Sequence, residues 1–228
     1  MSAHRHDDHR DRGHHRHGHG HGDRHEPGAQ EPAGGPMAWV FDEEHLARLR
    51  DPARLQTMPP DAIWGVLAAH APKPLRVLVD LGTGIGFFAL PFARHMPSGL
   101  LYACDLSAEA LAYLREALRR EGVPNILPVR TEPVRVPLED SLADAVVMIN
   151  LHHHLESRPG TLAECRRLLK PGGCLLVVDW KPGETEHGPP LEFRVPPATV
   201  RTELEAAGFS AVAEHAIMPE HWCLTARK

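Results

Sequence analysis

The sequence predicts one α/β domain on a seven-stranded, mostly parallel sheet, with helices on both faces and a C-terminal antiparallel hairpin. Three observations carry that reading. Short strand-like apolar runs at about 75–80, 100–104, 125–130, 144–149 and 173–179 alternate with helical patterns at about 86–95, 107–121 and 158–170. Such alternation builds parallel sheets through crossover helices. The first run, Val77-Leu78-Val79-Asp80-Leu81, breaks directly into Gly82-Thr83-Gly84-Ile85-Gly86, the composition of a turn in which bare backbone meets a ligand. After Pro196-Pro197 a last helix reaches Ala207 and Gly208 ends it, and the runs from Phe209 to His215 and from about His221 to Ala226 are spaced to pair as a hairpin.

Upstream of the alternation, Phe41 to Arg50 and Pro59 to His70 have helical apolar spacing, and Ala71-Pro72-Lys73-Pro74 stops the second helix because proline has no N–H to continue the ladder. The helix near 86 follows the glycine turn and aims its free N–H groups toward any anion held there. Ser107 is a good N-cap for the next helix, whose buried face carries Ala110, Leu111, Leu114 and Leu118.

Residues 1–36 are different in kind. Nine of the 18 histidines fall between His4 and His25, followed by a Gly/Pro-rich stretch from Pro27 to Pro36. With almost nothing apolar to bury, this segment is expected to be a disordered tail, leaving 37–228 as the domain and 37–73 as its helical lead-in. His14, His15, His17, His19 and His21 are the tail's candidate metal ligands, since clustered imidazoles on a flexible chain gather Ni²⁺, Zn²⁺ or Cu²⁺ loosely. The alternative is a solvated tail with incidental metal affinity.

Across 228 residues the net charge of −5 offers no general basic field for nucleic acid, and 5% aromatic residues leave few stacking platforms. No apolar stretch approaches the ~20 residues of a membrane span, and the charged, His-rich start is not a secretory signal, so a cytoplasmic protein is expected. Cys104, Cys165, Cys174 and Cys223 form no C-x-x-C pair and read mainly as packing residues.

The glycine turn is G-x-G-x-G, and Phe87 stands where a dinucleotide fingerprint requires its third glycine. That departure disfavours NAD. Asp105 ends the next apolar run, Leu100-Leu101-Tyr102-Ala103-Cys104, where a second strand presents a carboxylate to a ribose diol. Both Asp80 and Asp105 also have a plainer reading, as caps of nearby backbone N–H groups.

At these residues the chain resembles the class I S-adenosylmethionine-dependent methyltransferases, a Rossmann-like family, and is similar to the small bacterial ubiquinone/menaquinone-biosynthesis C-methyltransferases. Further segments carry the resemblance in the family's order: Pro137-Leu138-Glu139-Asp140-Ser141-Leu142-Ala143-Asp144-Ala145-Val146-Val147, Asn150-Leu151-His152-His153-His154-Leu155, and the run from Leu168 through Lys170-Pro171-Gly172-Gly173 to Asp179. It extends from about Leu75 to Lys228, and Trp39-Val40-Phe41-Asp42 with Asp51-Pro52-Ala53-Arg54 looks like the family's lead-in.

The resemblance implies S-adenosyl-L-methionine as cofactor. Asp80 with Gly82, Thr83, Gly84 and Gly86 would hold its methionine end, Asp105 its ribose hydroxyls and Leu106 its adenine, with Asn150 in the same set. Glu132 stands where relatives place an acid near the adenine amino group; it reads equally as a solvated loop acid. His152 and His153 are the candidate catalytic residues, one of them to accept a proton from the methyl acceptor near neutral pH; the other reading makes them packing or solvent-facing. Ligation of one metal by His152, His153 and His154 is disfavoured because consecutive side chains diverge. Asp179, Trp180, Lys181, the loop His187-Gly188-Pro189-Pro190 and Arg194 are candidates for the acceptor lid.

The favoured function is methyl transfer to a small-molecule acceptor, without a nucleic-acid partner. A nicotinamide oxidoreductase, a catalytically inactive cofactor-binding relative and a metal-handling protein using the His-rich tail stay as alternatives. Neither the acceptor nor the oligomeric state follows from the sequence.

Overall fold

The computed structural model describes residues 43–185 and 187–228. Three helices form the lead-in: α1 (Glu43–Arg50), α2 (Arg54–Thr57) and α3 (Pro60–His70). The α/β part follows as β1 (Val77–Leu81), α4 (Ala89–His95), β2 (Leu100–Asp105), α5 (Ala108–Glu121), β3 (Ile126–Arg130), β4 (Ala143–Ile149), α6 (Arg158–Leu168), β5 (Leu169–Trp180), α7 (Pro197–Ala206), β6 (Ser210–Glu214) and β7 (His221–Arg227). The strands make one sheet in the order β3-β2-β1-β4-β5-β7-β6. Pairs among β1 to β5 are parallel, whereas β7 runs antiparallel to both β5 and β6. This is the predicted fold class.

The sheet is apolar on both sides because helices cover both. On one face Ile63 and Leu67 of α3, Phe92 of α4 and Leu111 and Leu114 of α5 pack with Leu78, Leu101, Val147 and Leu176. On the other, Leu162 and Cys165 of α6 and Val200 and Leu204 of α7 pack with Val79, Val146, Leu175 and Leu224. Each fully buried Leu, Ile or Phe contributes about 1.5–3 kcal/mol, and this core is what tolerates the polar groups held at one sheet edge.

Local chemistry sets the element ends. Ser107 accepts from Ala110 N–H at 3.0 Å and caps α5, and Gly122, at φ 63°, terminates it. Ser157 caps α6 in the same way. Asp144, buried on β4, accepts from the N–H groups of Arg76 and Val77 at 2.8 Å and from Lys170 Nζ at 2.6 Å, tying β1 and β5 to β4.

Three boundaries differ from the sequence expectation. Residues 82–88 wind as consecutive turns, so α4 begins at Ala89 rather than near 86. Gly86, at φ 86°, sits outside helical space, and a Cβ there would fall 2.5 Å from Leu114 Cδ1, which is why close packing on α5 requires glycine. The short α2 was not expected, because four residues carry no readable period. β5 starts at Leu169, which pairs with Ala143, before the Lys-Pro-Gly-Gly excursion returns the strand to register at Cys174 opposite Ala145.

Candidate functional site

Sheet order reverses between β1 and β4, where the chain leaves β1 toward β2 and β3 and returns on the other side. Ligands bind doubly wound sheets outside the carboxyl ends of strands at that point. The glycine turn after β1 and Asn150 after β4 flank it.

The turn is fixed by β2. Cys104 O accepts from Gly82 N and Thr83 N at 2.8 and 3.0 Å, and Asp105 Oδ2 accepts from Gly84 N at 2.7 Å. Asp105 Oδ1 accepts from Ser107 N at 2.9 Å. Asp105 thus caps two backbone N–H groups, one with each oxygen. Gly86 N–H is spent on Thr83 O at 3.0 Å. α4 therefore begins three residues beyond Gly86, and the backbone nearest the two acids is that of the turn. Gly84, at φ 55°, has only Leu49 Cδ1 within 4 Å of where a Cβ would sit, at 3.9 Å.

Asp80 is buried, and Thr83 Oγ1 donates to its Oδ2 at 2.6 Å. Burial pushes the Asp80 carboxyl up to about 7; the Thr83 bond opposes this and the Asp105 charge adds to it. Burial likewise raises Asp105, against the N–H groups of Ser107, Gly84 and Leu106. The two carboxyls are thus both desolvated and close enough for the charge on one to act on the other. Leu106 next to them is 49% exposed, an apolar platform outside the core. Glu132 follows β3 in an exposed turn, its backbone paired with Arg135.

Asn150 adopts a left-handed backbone, φ 53°, at a cost of roughly 1 kcal/mol. Its Nδ2 donates to Met58 Sδ at 3.3 Å, while its buried Oδ1 has no hydrogen-bond partner. Met58 directly follows α2, whose Arg54 guanidinium lies 4.2 Å from the centre of the Phe87 ring. Burial lowers Arg54 to about 10, against the pull of Asp51.

The three histidines form a short 3-10 turn; His152 turns toward α7, whereas the His153 and His154 rings stay together, 4.0 Å apart. His152 is fully buried; its Nε2 lies 2.8 Å from Glu203 Oε2 on α7, out of line for a hydrogen bond, and its ring packs near Trp222. His153 meets the end of β5: its Nδ1 lies 2.7 Å from Asp179 Oδ1, and its backbone N–H donates to Asp179 Oδ2 at 3.0 Å. Burial alone would raise Asp179, yet the His153 ring and the N–H groups of Trp180 and His153 hold it below the usual carboxylate range. Against a carboxylate Nδ1 is the donor, and in the neutral tautomer that donates there Nε2 is the acceptor nitrogen. The histidine pattern was legible in sequence, but its carboxylate partner, 26 residues on, was read only as a lid residue.

Arg194 donates to the carbonyls of Lys181, Gly183, His187 and Pro189 and to Thr185 Oγ1, and its guanidinium lies 5.3 Å from the Trp180 ring. It clasps the 181–190 loop. Lys181 Nζ turns away, to Met218 O and Pro219 O at 2.9 Å. Among the described residues there is no cluster of three metal-ligating side chains, and the tail histidines lie outside them.

The acid pair, the open glycine at 84 and the orphaned Asn150 oxygen fit S-adenosylmethionine. Residues 79–177 match the family model described as a methyltransferase domain. The ubiquinone/menaquinone-biosynthesis C-methyltransferase UbiE of Cupriavidus metallidurans is 30% identical over 130 residues, covering 54% of this chain and 53% of that one. Its counterpart from Cupriavidus necator is 26% identical over 184 residues, covering 70% and 75%. The chain thus spans about half the length of the first relative and three quarters of the second. A solved S-adenosylmethionine-dependent methyltransferase from Aquifex aeolicus superposes with a TM-score of 0.76 at 29% identity, over 82% of this chain and 99% of that one. The reversed sheet order, the acid–glycine–acid edge and these matches make the chain similar to the class I S-adenosylmethionine-dependent methyltransferases, and among them to the ubiquinone/menaquinone-biosynthesis C-methyltransferases.

Proposed function

We propose that the protein transfers the methyl group of S-adenosylmethionine to a small-molecule acceptor in the cytoplasm, with His153 as proton acceptor. The observation that carries the cofactor half is the grip of Asp105 on the Gly84 N–H beside buried Asp80 at the switch point. Asp80, the 82–86 turn, Asp105, Leu106 and Asn150 are its binding set, and Glu132 stays an exposed candidate at the adenine end. When bound, S-adenosylmethionine supplies an electrophilic methyl group on a sulfonium. The chain's contribution is positioning, worth up to several kcal/mol, and removal of the acceptor's proton to His153 Nε2. A net charge of −5 supports a small acceptor over a nucleic acid. Four buried, unpaired cysteines suit a reducing compartment; burial raises Cys165 and Cys223 to about 12, so they are inert packing groups.

Calorimetric titration tests the reading. S-adenosylmethionine and its demethylated product should both bind and NAD should not; heat with NAD alone would overturn it. Asp80 adds a pH signature. Because its folded value is raised to about 7, the free protein loses stability as pH rises from the ordinary carboxylate range through about 7. A ligand ammonium requires the carboxylate, so binding below about pH 7 releases a proton and affinity rises with pH, by up to about tenfold per unit, before levelling above it. Affinity that is flat from about pH 6 to 8 would remove Asp80 from the ammonium site.

A further inference from the structure

A groove of about 450 Å³ is lined by α4 and α5 together with residues of the lead-in helices α1 and α2. That volume lies within the roughly 300–1,000 Å³ of small-molecule sites. Its walls are largely apolar: Leu49, Ile85, Phe87 and Leu90 meet Tyr113 and Ala117, which stand one turn apart on α5. Leu55 also lines it and is 51% exposed, so apolar surface there faces water. An apolar patch of this kind with a charged rim marks a place where something binds. Of the residues assigned to the cofactor, only Ile85 takes part.

The rim carries Arg50, Arg94 and Arg120 against one carboxylate, Glu121. One Glu121 oxygen lies 2.7 Å from Arg94 Nη2 and the other 3.5 Å from Arg120 Nη2, so both are engaged. Arg50 makes no ion pair among the described residues; its guanidinium lies 5.7 Å from the centre of the Tyr113 ring. The nearby acids are occupied elsewhere, Glu116 with Arg119 and Asp51 with the Ala53 N–H. Three guanidiniums less one carboxylate leave an excess of two positive charges, on a chain whose net charge is −5. The guanidinium over Phe87, that of Arg54, adds a further charge to the same wall. Such a local field draws anions, and guanidinium forks match carboxylate oxygens. An inorganic anion would leave the apolar walls wet, and a neutral hydrocarbon would forgo the charge. A carboxylate carried on a hydrocarbon chain complements both.

We propose that this groove binds an anionic amphiphile, a carboxylate on a hydrocarbon chain, at a place apart from the cofactor turn; the proposal does not rest on the methyltransferase reading. Calorimetric titration of the full chain with decanoate, decanol and acetate tests it. Decanoate is expected to bind one per chain and at least about fivefold more tightly than decanol, the gain of one or two exposed ion pairs. Acetate, which has the charge without the chain, should not bind. Raising salt from about 0.05 M to about 0.5 M should remove most of the preference, because exposed charges are screened. Arg50→Gln with Arg94→Gln, both at exposed positions, should weaken decanoate by about five- to tenfold and leave decanol within about twofold. Leu55→Glu, which sets a carboxylate against the ligand's own from another exposed position, should weaken decanoate by a similar factor without lowering the melting temperature. No binding of decanoate, equal affinity for decanoate and decanol, acetate binding as tightly as decanoate, or decanoate affinity that both variants leave within about twofold would overturn the proposal. Vesicles of phosphatidylglycerol address the other source of an anionic headgroup. Capture of the native chain by those vesicles, lost in the double variant and unaccompanied by binding of free decanoate, would make this face a membrane contact and overturn the groove.

Discussion

Asp105→Asn should weaken binding of S-adenosylmethionine and S-adenosylhomocysteine by about 10- to 150-fold, the equivalent of roughly 1.5–3 kcal/mol for hydrogen bonds to a charged acceptor. The geometry makes this variant more revealing than a simple loss of charge. In the native protein one oxygen accepts from Gly84 N and the other from Ser107 N. An amide has one acceptor oxygen, so its NH₂ must face one of those two N–H groups. Either the glycine turn or the entry to α5 loosens, and stability falls by about 1–3 kcal/mol besides. Denaturant unfolding and calorimetric titration separate the two effects. A variant that loses stability but binds cofactor with unchanged affinity while folded would show that Asp105 is only a cap, and would remove the ribose contact from the site.

The difference between local and distant chemistry explains what could be seen in the sequence. The glycine turn and the acids at 80 and 105 lie next to the strands that position them, and period-2 and period-3.6 patterns identified those strands and helices. The antiparallel hairpin was legible because Gly208 and the apolar runs after it are local signals. The start of α4 was not, since residues 84–88 are held by hydrogen bonds and by packing of Gly86 against Leu114 of α5, which the turn's own sequence does not announce. Asp144 looked like one acid of a family segment; its work is to receive backbone N–H groups 67 and 68 residues away. Arg194 read as a candidate for the acceptor lid, and its donors go to carbonyls of the 181–190 loop.

Asp179→Asn is expected to have the larger effect on turnover, lowering kcat by about 10²–10⁴-fold with little change in cofactor affinity. Native Asp179 Oδ1 accepts from Trp180 N at 2.8 Å and lies 2.7 Å from His153 Nδ1, while Oδ2 accepts from His153 N at 3.0 Å. Both carboxylate oxygens are acceptors, and the side chain is buried. In the amide, one orientation sets NH₂ against the His153 and Trp180 backbone-side donors at Oδ1, which forces the imidazole proton onto Nε2 and removes the base. The other orientation keeps the tautomer but leaves the His153 backbone N–H facing a donor, displacing the turn that aims the ring. Either outcome disables Nε2, so His153→Gln should show a similar loss, and the double variant should lose little more than either single one because the pair acts as a unit. Stability supplies an independent check. A carboxylate held below its ordinary range contributes stability above that range and loses it as pH falls through the folded value, so the acid-sensitive part of unfolding should shrink in Asp179→Asn. Transfer of labelled methyl from S-adenosylmethionine to an acceptor from a metabolite extract gives the rate. If folded Asp179→Asn keeps kcat within about threefold of native while its acid sensitivity falls as expected, the pair is a structural clasp and methyl transfer proceeds by positioning alone.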